Sequence, residues 1–186
     1  MQFENVETFD IEGLMLITPK VFGDNRGFFK ETYSKKDFAG ELGVEIDFVQ
    51  DNFSHSGKDI LRGLHWQTEP YAQDKLVRVA RGKLIDVAVD IRKDSPTFGQ
   101  HVKVELSEEN HKIFLVPKGF AHGFLTLTDI VDFEYKVSNY YAPDNDRGIA
   151  WNDPDLGIDW GVESPILSEK DTKHPFLKDI DKNDLF

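Results

Sequence analysis

Four short stretches of the chain place titratable side chains at spacings that could support proton chemistry. The first is Leu61-Arg62-Gly63-Leu64-His65-Trp66-Gln67. Strand alternation puts Leu64 and Trp66 on one face, so Arg62 and His65, three apart, fall on opposite faces unless Gly63 bends the chain. His65 reads either as a hydrogen-bonded core histidine or as a general base, because imidazole titrates near neutrality. The second stretch, Val116-Pro117-Lys118-Gly119-Phe120-Ala121-His122-Gly123-Phe124, is a Pro-x-Gly-x-x-His turn that ends one strand and aims a histidine into the start of the next. The third runs from Tyr135-Lys136 to Tyr140-Tyr141-Ala142-Pro143-Asp144-Asn145-Asp146-Arg147. A tyrosine there is either ordinary strand filling or, in a pocket, a proton donor or a platform for a nucleobase. The fourth, Leu167-Ser168-Glu169-Lys170-Asp171, is by itself a charged surface run.

The elements that must position these groups are short and strand-like. Leu76-Val77-Arg78-Val79-Ala80 and Leu84-Ile85-Asp86-Val87-Ala88-Val89 flank Arg81-Gly82-Lys83 and read as a hairpin. Val102-Lys103-Val104-Glu105-Leu106 alternates with period two, and Ile113-Phe114-Leu115-Val116 stops at Pro117. Asp132-Phe133-Glu134-Tyr135-Lys136-Val137 places Phe133, Tyr135 and Val137 on one face. The spacing predicts one short helix from a Ser34 cap through Leu42, stopped by Gly43. Many short strands separated by Gly and Pro punctuation indicate an antiparallel sandwich or jelly roll.

Composition narrows the classes. A length of 186 residues with 39% hydrophobic content fits one soluble domain. No stretch reaches the roughly 20 apolar residues of a membrane span, and the acidic N-terminus is unlike a secretion signal, so the expected location is cytoplasmic and no membrane partner is expected. A formal charge of −12 argues against nucleic acid, and an anionic small ligand would require a few Arg and Lys to converge locally. The candidates are Arg26, Arg62, Lys75, Arg78 and Arg81. With no cysteine, thiolate metal sites are excluded.

The Pro117 turn resembles the second half of the cupin pattern, whose first half would supply a His-x-His pair and a glutamate. Here that place reads His65-Trp66-Gln67, so a cupin metal set lacks its partners. Over nearly the whole chain the sequence resembles the dTDP-4-dehydrorhamnose 3,5-epimerase family. The matching stretches are Val21-Phe22-Gly23-Asp24-Asn25-Arg26-Gly27-Phe28-Phe29, Phe48-Val49-Gln50-Asp51-Asn52, Leu61-Arg62-Gly63-Leu64-His65 and Lys75-Leu76-Val77-Arg78-Val79. Asp86-Val87-Ala88-Val89-Asp90-Ile91-Arg92, the Pro117 turn, Trp151-Asn152-Asp153-Pro154 and Leu167-Ser168-Glu169-Lys170-Asp171 follow in order.

That resemblance implies an all-β cupin-type jelly roll with a few short helices, no metal, no cofactor, and assembly as a homodimer. A single epimerase domain over residues 1–186 is implied, with a core at about 45–150 and N-terminal strands and a C-terminal helical tail packed on it. The implied reaction inverts C3 and C5 of dTDP-4-dehydro-6-deoxy-D-glucose, a dTDP-4-keto-6-deoxyhexose, to give dTDP-4-dehydro-L-rhamnose. By position His65 is implied as the base, Asp171 as its orienting carboxylate, Tyr135 as the opposite proton donor and Lys75 as the cation at the developing oxyanion. Arg26, Glu31, Gln50, Asn52, Arg62, His122, Asp146 and Lys170 fall at substrate-contacting positions, and Tyr141 or its neighbour Tyr140 would stack on thymine. Asp146 stands where many members carry Glu, and Trp66 where Tyr or Phe is more usual. Three other readings compete: a 3-only or 5-only epimerase, a metal-dependent cupin oxygenase, and a non-catalytic sugar-binding jelly roll.

Overall fold

The computed structural model describes residues 2–186. Its strands and helix in chain order are β1 (Phe3–Thr8), β2 (Met15–Pro19), β3 (Val21–Asp24), β4 (Gly27–Lys30), α1 (Lys35–Leu42) and β5 (Gln50–Ser56). There follow β6 (Leu61–Gln67), β7 (Lys75–Arg81), β8 (Lys83–Asp90), β9 (His101–Ser107), β10 (Ile113–Val116), β11 (Phe120–Thr126), β12 (Val131–Val137) and β13 (Asp146–Gly148). One sheet has the order β1-β2-β10-β7-β12-β5, and a second has β13-β6-β11-β8-β9. β3 and β4 form a separate ribbon. Face to face, the two large sheets make the cupin-type jelly roll.

The helix forms where the sequence places it, with Ser34 at the N-cap position and Gly43 closing it in the left-handed region at φ 67°. The hairpin reading of Arg81-Gly82-Lys83 is corrected. β7 pairs with β10 and β12, whereas β8 pairs with β9 and β11, so the turn carries the chain from one sheet to the other. Gly82 makes that corner possible: at φ 79°, a Cβ here would stand 2.1 Å from the Ile130 carbonyl oxygen. The N-terminal strands also differ from expectation. β2 pairs with β10, so β1 and β2 extend the sheet instead of lying on it. The tail contains only single 3-10 turns, at Asp171–Lys173, Leu177–Asp179 and Lys182–Asp184.

Burial follows from this layering. Between the sheets lie Val77, Val79, Leu84, Ala88, Val104, Leu106, Phe114, Phe124 and Phe133. The outer face of the second sheet, with Leu61, Leu64, Val87, Val89 and Leu125, is covered by Ile149, Leu156, Trp160 and Leu177 of the tail. That double covering explains why β8 and β11 read as nearly unbroken apolar runs, while β9, at an edge, alternates. Phe38 of α1 packs with Ile17, Leu76, Ile113 and Leu115 on the far side of the first sheet.

Candidate active site

Inside the sandwich the strands send one side chain in two towards a common cavity. β5 contributes Gln50 and Asn52, β7 Lys75, β11 His122 and β12 Tyr135. Asn52 is the ladder partner of Tyr135, and His122 that of His65.

β6 obeys the same logic only because it is irregular. Between the pairs His122↔His65 and Phe124↔Arg62, β6 advances one residue more than β11 does. Gly63 is the extra residue, at φ 125°. Its bulge leaves Leu61, Leu64 and Trp66 on the outer core while Arg62 and His65 both face the cavity. No side chain fits at this point: a Cβ on Gly63 would lie 2.5 Å from the Cα of Gly123, and one on Gly123 would lie 2.8 Å from the Arg62 carbonyl oxygen.

Two cavities adjoin at His65, Lys75 and Tyr135. The outer, about 340 Å³, is lined also by Gln50, Asn52, Gln67, Gln73, Tyr141 and Asp146. The inner, about 270 Å³, adds Arg62, His122, Phe124, Ser168 and Asp171. His65 Nε2 stands 2.5 Å from Asp171 Oδ1, and Ser168 Oγ donates to Asp171 Oδ2 at 2.8 Å. A parallel bond links His122 Nε2 to the fully buried Asp86, at 2.8 Å.

Electrostatics assign distinct protonation tendencies. Burial pushes the His65 imidazole below its usual value; Asp171 opposes this, and the charges of Lys75 and Lys170 reinforce it. Burial alone would raise Asp171, but the adjoining His174 ring and the bonds from His65 and Ser168 hold its carboxyl well below the usual range. Burial also depresses Lys75 to about 8 and raises the Tyr135 phenol, Arg62 partly offsetting the latter. The result is a neutral imidazole on a fixed carboxylate, a neutral phenol, and an ammonium that is still charged at neutral pH.

Of the expected residues, His65, Asp171, Lys75, Tyr135, Gln50, Asn52, Arg62, His122, Tyr141 and Asp146 line these cavities. Lys170 pairs with Asp146, whose Oδ2 also accepts from the Tyr141 hydroxyl at 3.1 Å. Tyr140 is 63% exposed and lines neither cavity. Arg26 is exposed on the β3–β4 ribbon, bonded to Asp24, and Glu31 is exposed just beyond it; neither lines the cavities of its own chain. Arg78 pairs with Glu134 and lies at a separate pocket with Asp51 and Phe53.

Three residues escaped the sequence reading. Gln67 donates to the carbonyls of Tyr71 and Tyr140 and accepts from the Ala142 N–H, so it holds the loop that carries Tyr141. Asp86 had a signal, a lone acid inside the apolar run of β8. His174 had none. Its Nε2 approaches Asp171 Oδ1 at 3.4 Å. His65, Asp171 and His174 are the one group among the described residues with metal-ligand composition, their ligand atoms within 4.8 Å of one another. The positive charges of Lys75 and Lys170 beside His65 oppose a divalent cation there.

Residues 8–179 match the sequence profile of dTDP-4-dehydrorhamnose 3,5-epimerase. The chain belongs to that family. A dTDP-4-dehydrorhamnose 3,5-epimerase of Shigella flexneri is 50% identical over 177 residues, covering 95% of this chain and 98% of its own. The crystal structure of the Legionella pneumophila dTDP-6-deoxy-D-glucose-3,5-epimerase, in complex with dTDP-4-keto-L-rhamnose, superposes with a TM-score of 0.94 at 48% identity, covering 97% of this chain and 96% of that one. The Bacillus anthracis epimerase structure, with TDP and pyrophosphate bound, gives 0.90 at 50% identity over 92% and 98% of the two chains. The jelly roll is therefore that of an epimerase family, and the chain is an enzyme of the isomerase class.

Proposed function

We propose that this chain inverts C3 and C5 of dTDP-4-dehydro-6-deoxy-D-glucose to give dTDP-4-dehydro-L-rhamnose. One observation carries the reading: an imidazole bonded to a carboxylate, an ammonium and a phenol share a single cavity wall. Both hydrogens to be moved are α to the C4 ketone, so their removal produces an enolate. His65 takes the proton through its free nitrogen, while Asp171 fixes the tautomer and steadies the imidazolium that forms. Lys75 meets the negative charge growing on O4. Tyr135, kept protonated by burial, returns a proton from the opposite side. Arg62 suits the diphosphate, and the exposed Tyr141, braced by Asp146, suits the thymine.

The working form we propose is a cytoplasmic homodimer, each chain folding as one domain. Phe22, Phe28, Phe29 and Phe53 are exposed on or beside the first sheet and its ribbon, a surface that a second copy would cover. Arg26 and Glu31, on the same ribbon, then reach a neighbouring site instead of their own. No helix among the described residues is long and apolar enough to cross a membrane.

Incubation of the chelator-dialysed protein with the 4-keto sugar nucleotide in D₂O tests the reaction. Deuterium at both carbons, abolished by His65→Ala, is the expected result. Labelling at one carbon would move the assignment to a 3-only or 5-only epimerase. Binding without labelling would leave a sugar-binding barrel.

A further inference from the structure

Asp171 is shared by two imidazoles, and the proposed reaction uses one. Its Oδ2 is held by Ser168, which also accepts from the Asp171 N–H at 3.1 Å. Its Oδ1 faces His65 Nε2 at 2.5 Å and His174 Nε2 at 3.4 Å. The His174 side chain is only 10% exposed, and its buried Nε2 makes no hydrogen bond, Asp171 Oδ1 at 3.4 Å being its ion-pair neighbour. The two rings meet edge to face, 5.4 Å between centroids.

The surrounding chain makes room for the second ring. Gly148, the ladder partner of His65 on β13, lies against it: a Cβ at Gly148 would stand 2.4 Å from Cε1 and Nε2 of His174. The next residue, Pro175, is tied down by the Ala150 N–H at 2.8 Å. A buried imidazole set on a glycine, with an otherwise unpartnered nitrogen beside a carboxylate, is placed to act on that carboxylate.

We infer that His174 is a positioning residue that sets its Nε2 N–H beside the Asp171 oxygen used by His65, and so keeps that base neutral at lower pH. The inference rests on the proposed role of His65. A second N–H pole beside a carboxylate oxygen weakens the pull of that oxygen on the first proton and favours the anionic form of the carboxyl. Other charged or titratable groups face His65 from each neighbouring element: Lys75 on β7, Tyr135 on β12, His122 on β11 with Asp86 behind it, Asp146 on β13, Lys170 in the tail and Arg62 on β6 itself. Ser168 and His174 differ from these in touching Asp171 itself, and Ser168 holds the other oxygen.

The test compares His174→Phe, which removes the donor, with His174→Gln, whose amide can replace it. The His65 titration would be followed by ¹⁵N NMR, and kcat/KM by pH profile. In the Phe variant the His65 pKa should rise by about half a pH unit or more, cutting kcat/KM about three-fold on the acid limb below that pKa, while pH 8 values stay within about two-fold. The Gln variant should keep the parental titration. Should the Phe variant not fold, Gly148→Ala pushes the ring off Asp171 and should shift His65 in the same direction. An unmoved His65 titration, with activity lost equally at all pH, would overturn the inference and leave His174 as packing. If His65→Ala retained exchange, the base assignment would fail, while the NMR titration would still decide whether His174 controls the dyad.

Discussion

Lys75 offers the sharpest test, because the fold sacrifices stability to keep it charged. Its ammonium is depressed from 10.5 to about 8, chiefly by burial, with Asp146 and Asp86 recovering part of the loss. At about 1.4 kcal/mol per pH unit, that drop sets a ceiling of about 3 kcal/mol on the cost of the buried charge. Lys75→Met keeps the aliphatic stem and removes the charge. Below about pH 8, where folded and unfolded chains both carry the proton, the variant should be more stable by up to that amount, about 2–4 °C in Tm per kcal/mol for a chain of this size. As pH rises through about 8, the folded parent sheds its proton and the difference shrinks. At pH 9.5 roughly half should remain, and above about 10.5 none.

Activity should move the other way. Losing a group aimed at the oxyanion costs about 10²–10³ in kcat. In the parent, kcat/KM should fall as pH rises through about 8, and Lys75→Arg should carry that limb to higher pH. The assay is thermal melting at fixed protein concentration at pH 6.5 and 9.5, with deuterium exchange on the same samples. A Met variant no more stable than the parent at pH 6.5, or equally stabilised at both pH values, would refute the electrostatic account. A kcat within about five-fold of the parent would refute the oxyanion role.

Gly63→Ala should fail to accumulate as folded protein or melt far below the parent, since its Cβ would collide with backbone on β11 at 2.5 Å; a normal melt would show that the bulge is not obligatory. Asp171→Asn should lower kcat about 10²–10⁴-fold by freeing the His65 tautomer, read from initial rates. The same variant should lose less stability on acidification, because the depressed carboxyl stabilises the fold above about pH 3.8 and that contribution disappears as pH falls through and below it. Phe53→Glu should shift the protein from dimer to monomer in sedimentation, and an unchanged dimer would place the interface elsewhere.

Local patterns disclosed strands β7, β8, β9, β10 and β12 but not β1 to β5 or β13, because period-two alternation and Gly/Pro punctuation are properties of neighbouring residues and are weak in those other segments. They did not disclose which sheet each strand joins. Arg81-Gly82-Lys83 suits a hairpin and a corner equally; the decision lies with the Ile130 carbonyl pressed against Gly82, a contact distant in sequence. The same holds for Gly63: a bend was legible, but its size follows from register against β11. Asp86 could be noticed as an acid among aliphatics. His174 could not, because its meaning depends on Gly148 having no side chain.

The cations of the site explain how an acidic protein can hold a diphosphate. Of those the sequence singled out, Arg26, Arg78 and Lys170 are paired with Asp24, Glu134 and Asp146. Arg62 and Lys75 differ. Among the described residues, their hydrogen bonds go to the Ser56 hydroxyl and the His65 carbonyl, and neither has a carboxylate partner. Both open onto the inner cavity. A guanidinium and a half-buried ammonium kept from intramolecular pairing have a deficit of negative charge that a substrate can fill: in the proposed reaction, the diphosphate at Arg62, and the enolate oxygen at Lys75 as it forms. With a formal charge of −12, the remaining carboxylates act mostly from the outside, where salt screens them within about 10 Å. The local field thus favours the anion even though the net charge opposes it.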